Sequence, residues 1–185
     1  MSQTITIMGI AGSLRESSYN HAALVAAQSM LPDDSSLDIF DLASLPLFNQ
    51  DSEGAADANV GAFKRAIRGA DAILFATPEY NYCMPGVLKN AIDCASRPFG
   101  DSAWSGKPVG VMGASVSSLG SVRAQYQLRQ YFVALDMYAV HRPEVMIPSA
   151  SSAFDRNGVL HDQTSRALIR ELLSALVRLT RQLKH

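Results

Sequence analysis

TITIMGIAGSLRESSYN, residues 4–20, is the stretch from which the fold is decided. A short β-rich run centred on Ile5 and Ile7 stops at Gly9-Ile10-Ala11-Gly12. A polar loop follows, and a helical pattern then runs from about Asn20 to Leu31. Strand, loop and helix in that order form the repeating unit of a parallel sheet, because each parallel connection has to cross over. The same order recurs downstream. SLDIFDL (36–42) predicts a second strand, and residues 57–68, with Val60, Phe63 and Ile67 at helical steps, predict a helix. DAILFAT (71–77) has the unbroken apolar character of a buried strand. Pro85 suits the first turn of a helix continuing through Val87, Leu88, Ala91 and Ile92. KPVGVMGAS (107–115) is a fourth strand, residues 122–135 a helix, and a weaker fifth strand falls at 137–140 or 145–147. Asp162 can cap a last helix whose stripe is Leu168, Ile169, Leu172, Leu173, Leu176 and Val177. Five strands alternating with five helices predict an α/β chain with a doubly wound, three-layer α/β/α architecture and a five-stranded parallel sheet.

The totals narrow the function classes. A length of 185 residues suits one domain spanning 1–185, at the usual ~150 residues per domain. Hydrophobic residues make up 48% and charged residues 18%, enough for a core. Sixteen Lys and Arg against 17 Asp and Glu give a net charge of −1, with no basic field for a nucleic-acid backbone. No apolar run approaches the roughly 20 residues that span a bilayer, and the start lacks a basic signal region, so a cytoplasmic location is expected. Cys83 and Cys94 are too few for a disulfide framework, and the four histidines have no zinc-like spacing, so no metal is expected.

In doubly wound sheets ligands bind beyond the carboxyl ends of the strands, where the strand order reverses. Three strand-to-helix loops have the chemistry for it. Gly12–Asn20 offers hydroxyls at Ser13, Ser17 and Ser18, the Arg15 guanidinium, the Asn20 amide and a helix start, together an anion site sized for one phosphate. It lacks both the G-x-G-x-x-G and the G-K-[ST] patterns, which speaks against a pyrophosphate or triphosphate. Thr77–Gly86 is stiffened by two prolines and carries Tyr80, Asn81 and Tyr82, which offer flat surfaces and hydrogen bonds to a planar ring. Gly113–Ser121 has small residues whose N–H groups can approach a ring edge; alone it is also a flexible serine–glycine turn. A 2-1-3-4-5 strand order brings the three together, and a phosphate joined to a planar ring system describes flavin mononucleotide, FMN.

These residues resemble the NADPH-dependent FMN reductases of flavodoxin-like fold, most closely their quinone- and chromate-reducing branch. The resemblance covers nearly the whole chain and rests on GSLRESSYN, ATPEYNYCMPGVLKNAID with the following ASRP, WSGKPV, and GAS with Arg123-Ala124-Gln125 downstream. It implies an FMN phosphate on Ser13, Arg15, Ser18 and Asn20, with Tyr19 also among the cofactor-binding residues and Ser17 at a variable position. It implies an isoalloxazine against Pro78, Glu79, Tyr80, Asn81 and Tyr82, and against Gly113 to Ser115. PLFNQD (46–51) is similar to the family's loop near the active-site mouth or a subunit contact. The family pattern implies a homodimer or homotetramer. The chain departs from it in a third loop with less glycine and in Cys83 and Cys94, where relatives carry residues resembling serine and tryptophan.

The resemblance implies that NADPH or NADH reduces bound FMN and that a small-molecule electron acceptor, a quinone, free flavin, an azo dye or chromate, takes two electrons. The cofactor carries that chemistry. No side chain is therefore expected to act as acid or base, and Glu79 is expected to be structural. The alternative is a flavodoxin-like electron carrier or flavin-binding regulator without turnover. Such carriers tend to be strongly acidic for docking, which a net charge of −1 does not provide.

Overall fold

Strand β1 (Ile5–Ala11) lies inside the sheet, and the other strands are placed from it. In the computed structural model, which describes residues 4–53 and 57–184, β2 (Ser35–Phe40) pairs parallel with one side of β1 and β3 (Ala72–Ala76) with the other. Strand β4 (Pro108–Ala114) follows β3, and the order is β2-β1-β3-β4-β5, the expected 2-1-3-4-5. The fifth position differs from a single strand. Both weak segments pair with β4: β5 (Tyr138–Ala139) beside Pro108 and Val109, and β6 (Val145–Ile147) beside Met112 to Ala114. Pro143 lies between them and has no N–H for the ladder.

Helix α1 (Tyr19–Gln28), the single turn α5 (Ala150–Ala153) and the long α6 (Gln163–Leu183) cover one face; α2 (Ala58–Gly69), α3 (Gly86–Ser96) and α4 (Val122–Ala134) cover the other. Strand β3 shows why both faces need cover. Ala72, Leu74 and Ala76 point into the first core, Ile73 and Phe75 into the second, and all five residues are buried. The second core is centred on the fully buried Trp104. It packs on Phe63 and Phe75 with ring centroids 5.7 and 5.8 Å away, and its indole N–H donates to the Ile92 carbonyl at 3.0 Å.

The helix starts follow from their caps. Asp57 accepts from the N–H groups of Asn59 and Val60, and Asp162 from that of Ser165 at 2.7 Å, as the sequence predicts for Asp162. Pro85 stands one place before α3, with extended ψ of 149°, instead of in its first turn.

Candidate functional site

The carboxyl ends of β1, β3 and β4 lie level. Ala11 pairs with Ala76 and Ala76 with Met112. The Gly12 N–H donates to the Ala76 carbonyl at 2.8 Å and the Thr77 N–H to that of Met112 at 3.0 Å. The chain leaves β1 toward β2 on one side and β3 toward β4 on the other, so the crevice between the first two loops is the topological switch point. Gly12 is fitted closely there: a Cβ would lie 3.2 Å from Leu88 Cδ2 and 3.3 Å from Pro78 Cδ.

The first loop runs into α1. Ser13 is half-buried, and its hydroxyl accepts from the Arg15 N–H at 3.4 Å. Arg15 is exposed, with Nη2 donating to Ser17 Oγ at 3.2 Å. Ser18 is buried and caps α1 by accepting from the His21 N–H at 3.2 Å. The N–H groups of Tyr19 and Asn20 have no intrahelical acceptor by geometry, and no acidic side chain occupies that first turn. The positive end of α1 therefore faces the loop without a counter-charge from its own first turn. Two expected ligands differ in their side chains. Asn20 is 3% exposed, and its carboxamide is engaged by Ala114: Nδ2 donates to the carbonyl at 3.0 Å and Oδ1 accepts from the N–H at 2.9 Å. It clamps α1 to the end of β4 and presents only backbone to the loop. The Tyr19 ring packs on Phe154, centroids 5.4 Å apart.

The second loop is a tight hairpin. Tyr80 and Cys83 exchange backbone hydrogen bonds at 2.9 and 3.0 Å, and Asn81 and Tyr82 between them have φ of 51° and 69°, the two positive values of a type I′ turn. Pro78 is buried and the Tyr80 and Tyr82 rings are exposed. Glu79 turns to the start of α4. Its carboxylate accepts from the Arg123 N–H at 2.9 Å, the Ala124 N–H at 3.4 Å and Arg123 Nε at 2.8 Å. Gln127 holds the other end of the hairpin, with Oε1 accepting from the Met84 N–H at 2.9 Å and Nε2 donating to Cys83 Sγ at 3.4 Å. Gln127 escaped the sequence reading, although it lies four residues after Arg123 and so shares its helix face.

The third loop is not a free serine–glycine turn. Its Ser115 N–H donates to the Ile147 carbonyl at 3.1 Å, its Ser115 and Ser117 carbonyls accept from Ala150 and Ser149, and Ser115 Oγ accepts from the Ser117 N–H at 3.2 Å. Gly113 has no room for a side chain, since a Cβ would overlap Ser121 Oγ and the Thr77 carbonyl oxygen. Gly120, at φ 57°, packs directly on the Met146 and Ile147 backbone. Beneath it Gln125, 1% exposed, donates from Nε2 to the Val145 carbonyl at 3.0 Å and to Ser121 Oγ at 3.3 Å. The structure thus brings the three loops to one edge, each fastened to the next: Asn20 to Ala114, Gly113 against Thr77, Glu79 to α4.

The segment 46–48 is fastened to α3. The Asn90 carboxamide holds it on α3, accepting from the Phe48 N–H at 2.8 Å and donating to the Pro46 carbonyl at 2.9 Å. Leu47 is left 87% exposed beside a cavity of about 590 Å³ lined by Phe48, Val60, Cys94 and Pro98. Burial raises the Cys94 thiol pKa.

Comparison with known proteins agrees with this arrangement. The family model described as NADPH-dependent FMN reductase matches residues 5–152. The chain is 50% identical over 186 residues to an NAD(P)H-dependent FMN reductase of Pseudomonas aeruginosa, covering 100% of both, and 44% identical over 165 residues to a quinone reductase of Pseudomonas putida, covering 89% of each. The solved flavoenzyme NAD(P)H:(acceptor) oxidoreductase FerB of Paracoccus denitrificans superposes with a TM-score of 0.88 at 31% identity, over 97% of this chain and 98% of that one. A model spanning both halves of the sheet, and relatives alike from end to end, place the chain in the NADPH-dependent FMN reductase family.

Proposed function

We propose that this protein is an FMN-dependent NAD(P)H oxidoreductase that delivers electrons to quinones or similar small acceptors, working as one domain. The observation that carries this is the switch-point crevice, where a helix start without a counter-charge and an aromatic hairpin lie side by side. The chain's donors fit FMN. Ser13, Arg15, Ser18 and the Tyr19 and Asn20 N–H groups would hold the phosphate dianion. Pro78, Tyr80, Asn81 and Tyr82 would border the ring, and Gly113 to Ser115 would border its edge. Of the two carboxylates in these loops, Glu79 is neutralised by Arg123 and the α4 N–H groups, and Glu16 is exposed to solvent, where its charge is screened.

Bound FMN supplies the redox chemistry, accepting a hydride equivalent and delivering two electrons. The protein's part is to hold it with rigid loops and to leave its face open to solvent beside the exposed Tyr80 and Tyr82 rings. Glu79 is fully engaged by α4 and is not placed to move a proton.

An assembly of two or four copies is supported by the rigidly held, exposed Leu47 beside its cavity. A cytoplasmic site of action is part of the proposal; no helix among the described residues is long and apolar enough to cross a membrane. The test is purification, a flavin absorbance scan, then NADPH or NADH with and without benzoquinone. The proposal requires flavin that bleaches with the nicotinamide and recolours with the quinone. A colourless protein that takes up no added FMN rejects it.

A further inference from the structure

Helix α4 begins in an unusual way. Ser121, the residue before it, has φ of 68° and makes no side-chain cap, so the N–H groups of Arg123 and Ala124 need an acceptor from elsewhere. Glu79 from the second loop supplies it, and its other oxygen accepts from Arg123 Nε at 2.8 Å. Arg123 is thereby fixed along one edge, and its Nη groups make no hydrogen bond among the described residues. The guanidinium carbon sits 3.8 Å from the centroid of the Tyr82 ring.

Tyr82 is the other oddity. Type I′ turns favour Asn then Gly, because both central residues have positive φ. Asn81 follows that preference; Tyr82, at φ 69°, occupies the place where glycine would be unstrained. Its ring is nevertheless 70% exposed, so burial of apolar area does not offset the strain. The Arg123 guanidinium lies over the face of that ring.

Building on the proposed function, we infer that Arg123 is a positioning residue: its guanidinium holds the Tyr82 ring as a wall on the acceptor side of the crevice. The wall sets the affinity for planar acceptors of the quinone class. The cap of α4 does not depend on it, because the backbone N–H groups of residues 123 and 124 bind Glu79 whatever side chain stands at 123.

The test compares wild type, Arg123→Gln and Arg123→Lys. In the FMN-loaded protein, Arg123→Gln is expected to raise KM for 1,4-benzoquinone about three- to tenfold, by more than it raises the FMN Kd and with kcat within about twofold of wild type; Arg123→Lys, which keeps a cation over the ring, falls between. In the apo-protein, chymotryptic cleavage after Tyr82 is expected to accelerate in Arg123→Gln, because the ring is released. An unchanged KM or an unchanged cleavage rate overturns the inference, and so does an FMN Kd that rises in step with KM, which marks a merely structural residue. A wild-type protein that takes up no FMN overturns the proposed function and this inference together. One that turns over normally beside an unaltered Arg123→Gln overturns this inference alone.

Discussion

Replacing Asn20 separates a clamp from a ligand. Its carboxamide makes two bonds to the backbone of Ala114, at 2.9 and 3.0 Å, and both residues are buried. Asn20→Ala leaves one N–H and one C=O without partners at the end of β4. Each unsatisfied buried group costs about 1–3 kcal/mol, and a water entering the vacated space recovers part of it, so a net loss of about 2–3 kcal/mol is expected. At about 2–4 °C per kcal/mol for a chain of this size, Tm should fall by about 5–10 °C. Asn20→Asp keeps the shape and the bond from the Ala114 N–H, but it turns a carboxylate oxygen toward the Ala114 carbonyl and should cost at least as much. The assay is urea unfolding of the FMN-free protein with the slope m held constant between variants, because FMN itself would stabilise the fold and confuse the comparison. If apo stability stays within about 0.5 kcal/mol of wild type while FMN affinity drops, the side chain is a phosphate ligand and the clamp argument fails.

Arg15→Ala removes a guanidinium that among the described residues only Ser17 engages, and should weaken FMN binding about tenfold in a fluorescence titration with little change in apo Tm; an unchanged Kd would refute the phosphate assignment. Gly113→Ala forces a methyl group into Ser121 Oγ and the Thr77 carbonyl, and a loss of about 3 kcal/mol or more is expected in the same unfolding assay. Asp162→Ala should cost about 1 kcal/mol at neutral pH through loss of the α6 cap. Hydrogen bonds from the Ser165 hydroxyl and then the Ser165 N–H hold the Asp162 carboxyl below the usual carboxylate range. Its charged-form contribution is therefore present above the ordinary carboxylate pKa and disappears as pH falls through the lowered folded value. The wild-type advantage over Asp162→Asn should shrink on acidification, and a difference that grows in acid would contradict it.

The succession of strands and helices could be read from residues alone because buried parallel strands and amphipathic helices carry different periods, and DAILFAT and the Leu168–Val177 stripe are clear examples of each. The fifth strand could not, since residues 137–140 and 145–147 are equally short and apolar, and the sheet takes both. For the site, loop composition located the crevice, but composition does not say which way a side chain turns. Asn20 has the chemistry of a phosphate ligand and turns instead to the backbone of a strand 94 residues away. Glu79 was expected to be structural because flavin chemistry needs no acid or base; its partner was not visible, because the demand for a cap arises only from the left-handed Ser121.

This wiring bears on how tightly three short loops can hold a cofactor. Binding pays for whatever the loops must give up in freedom, about 1–2 kcal/mol for each backbone residue that has to be ordered. Here the first loop is held at Asn20, the second at Glu79, Cys83 and Met84, and the third at Ser115, Gly113 and Gly120. The segments that would meet the ring and the phosphate are ordered before any ligand arrives. Contacts to the ligand can then go into affinity, and Tyr80 and Tyr82 stand exposed at the rim of the crevice. A protein whose cofactor carries the redox chemistry needs that combination of firm floor and open face.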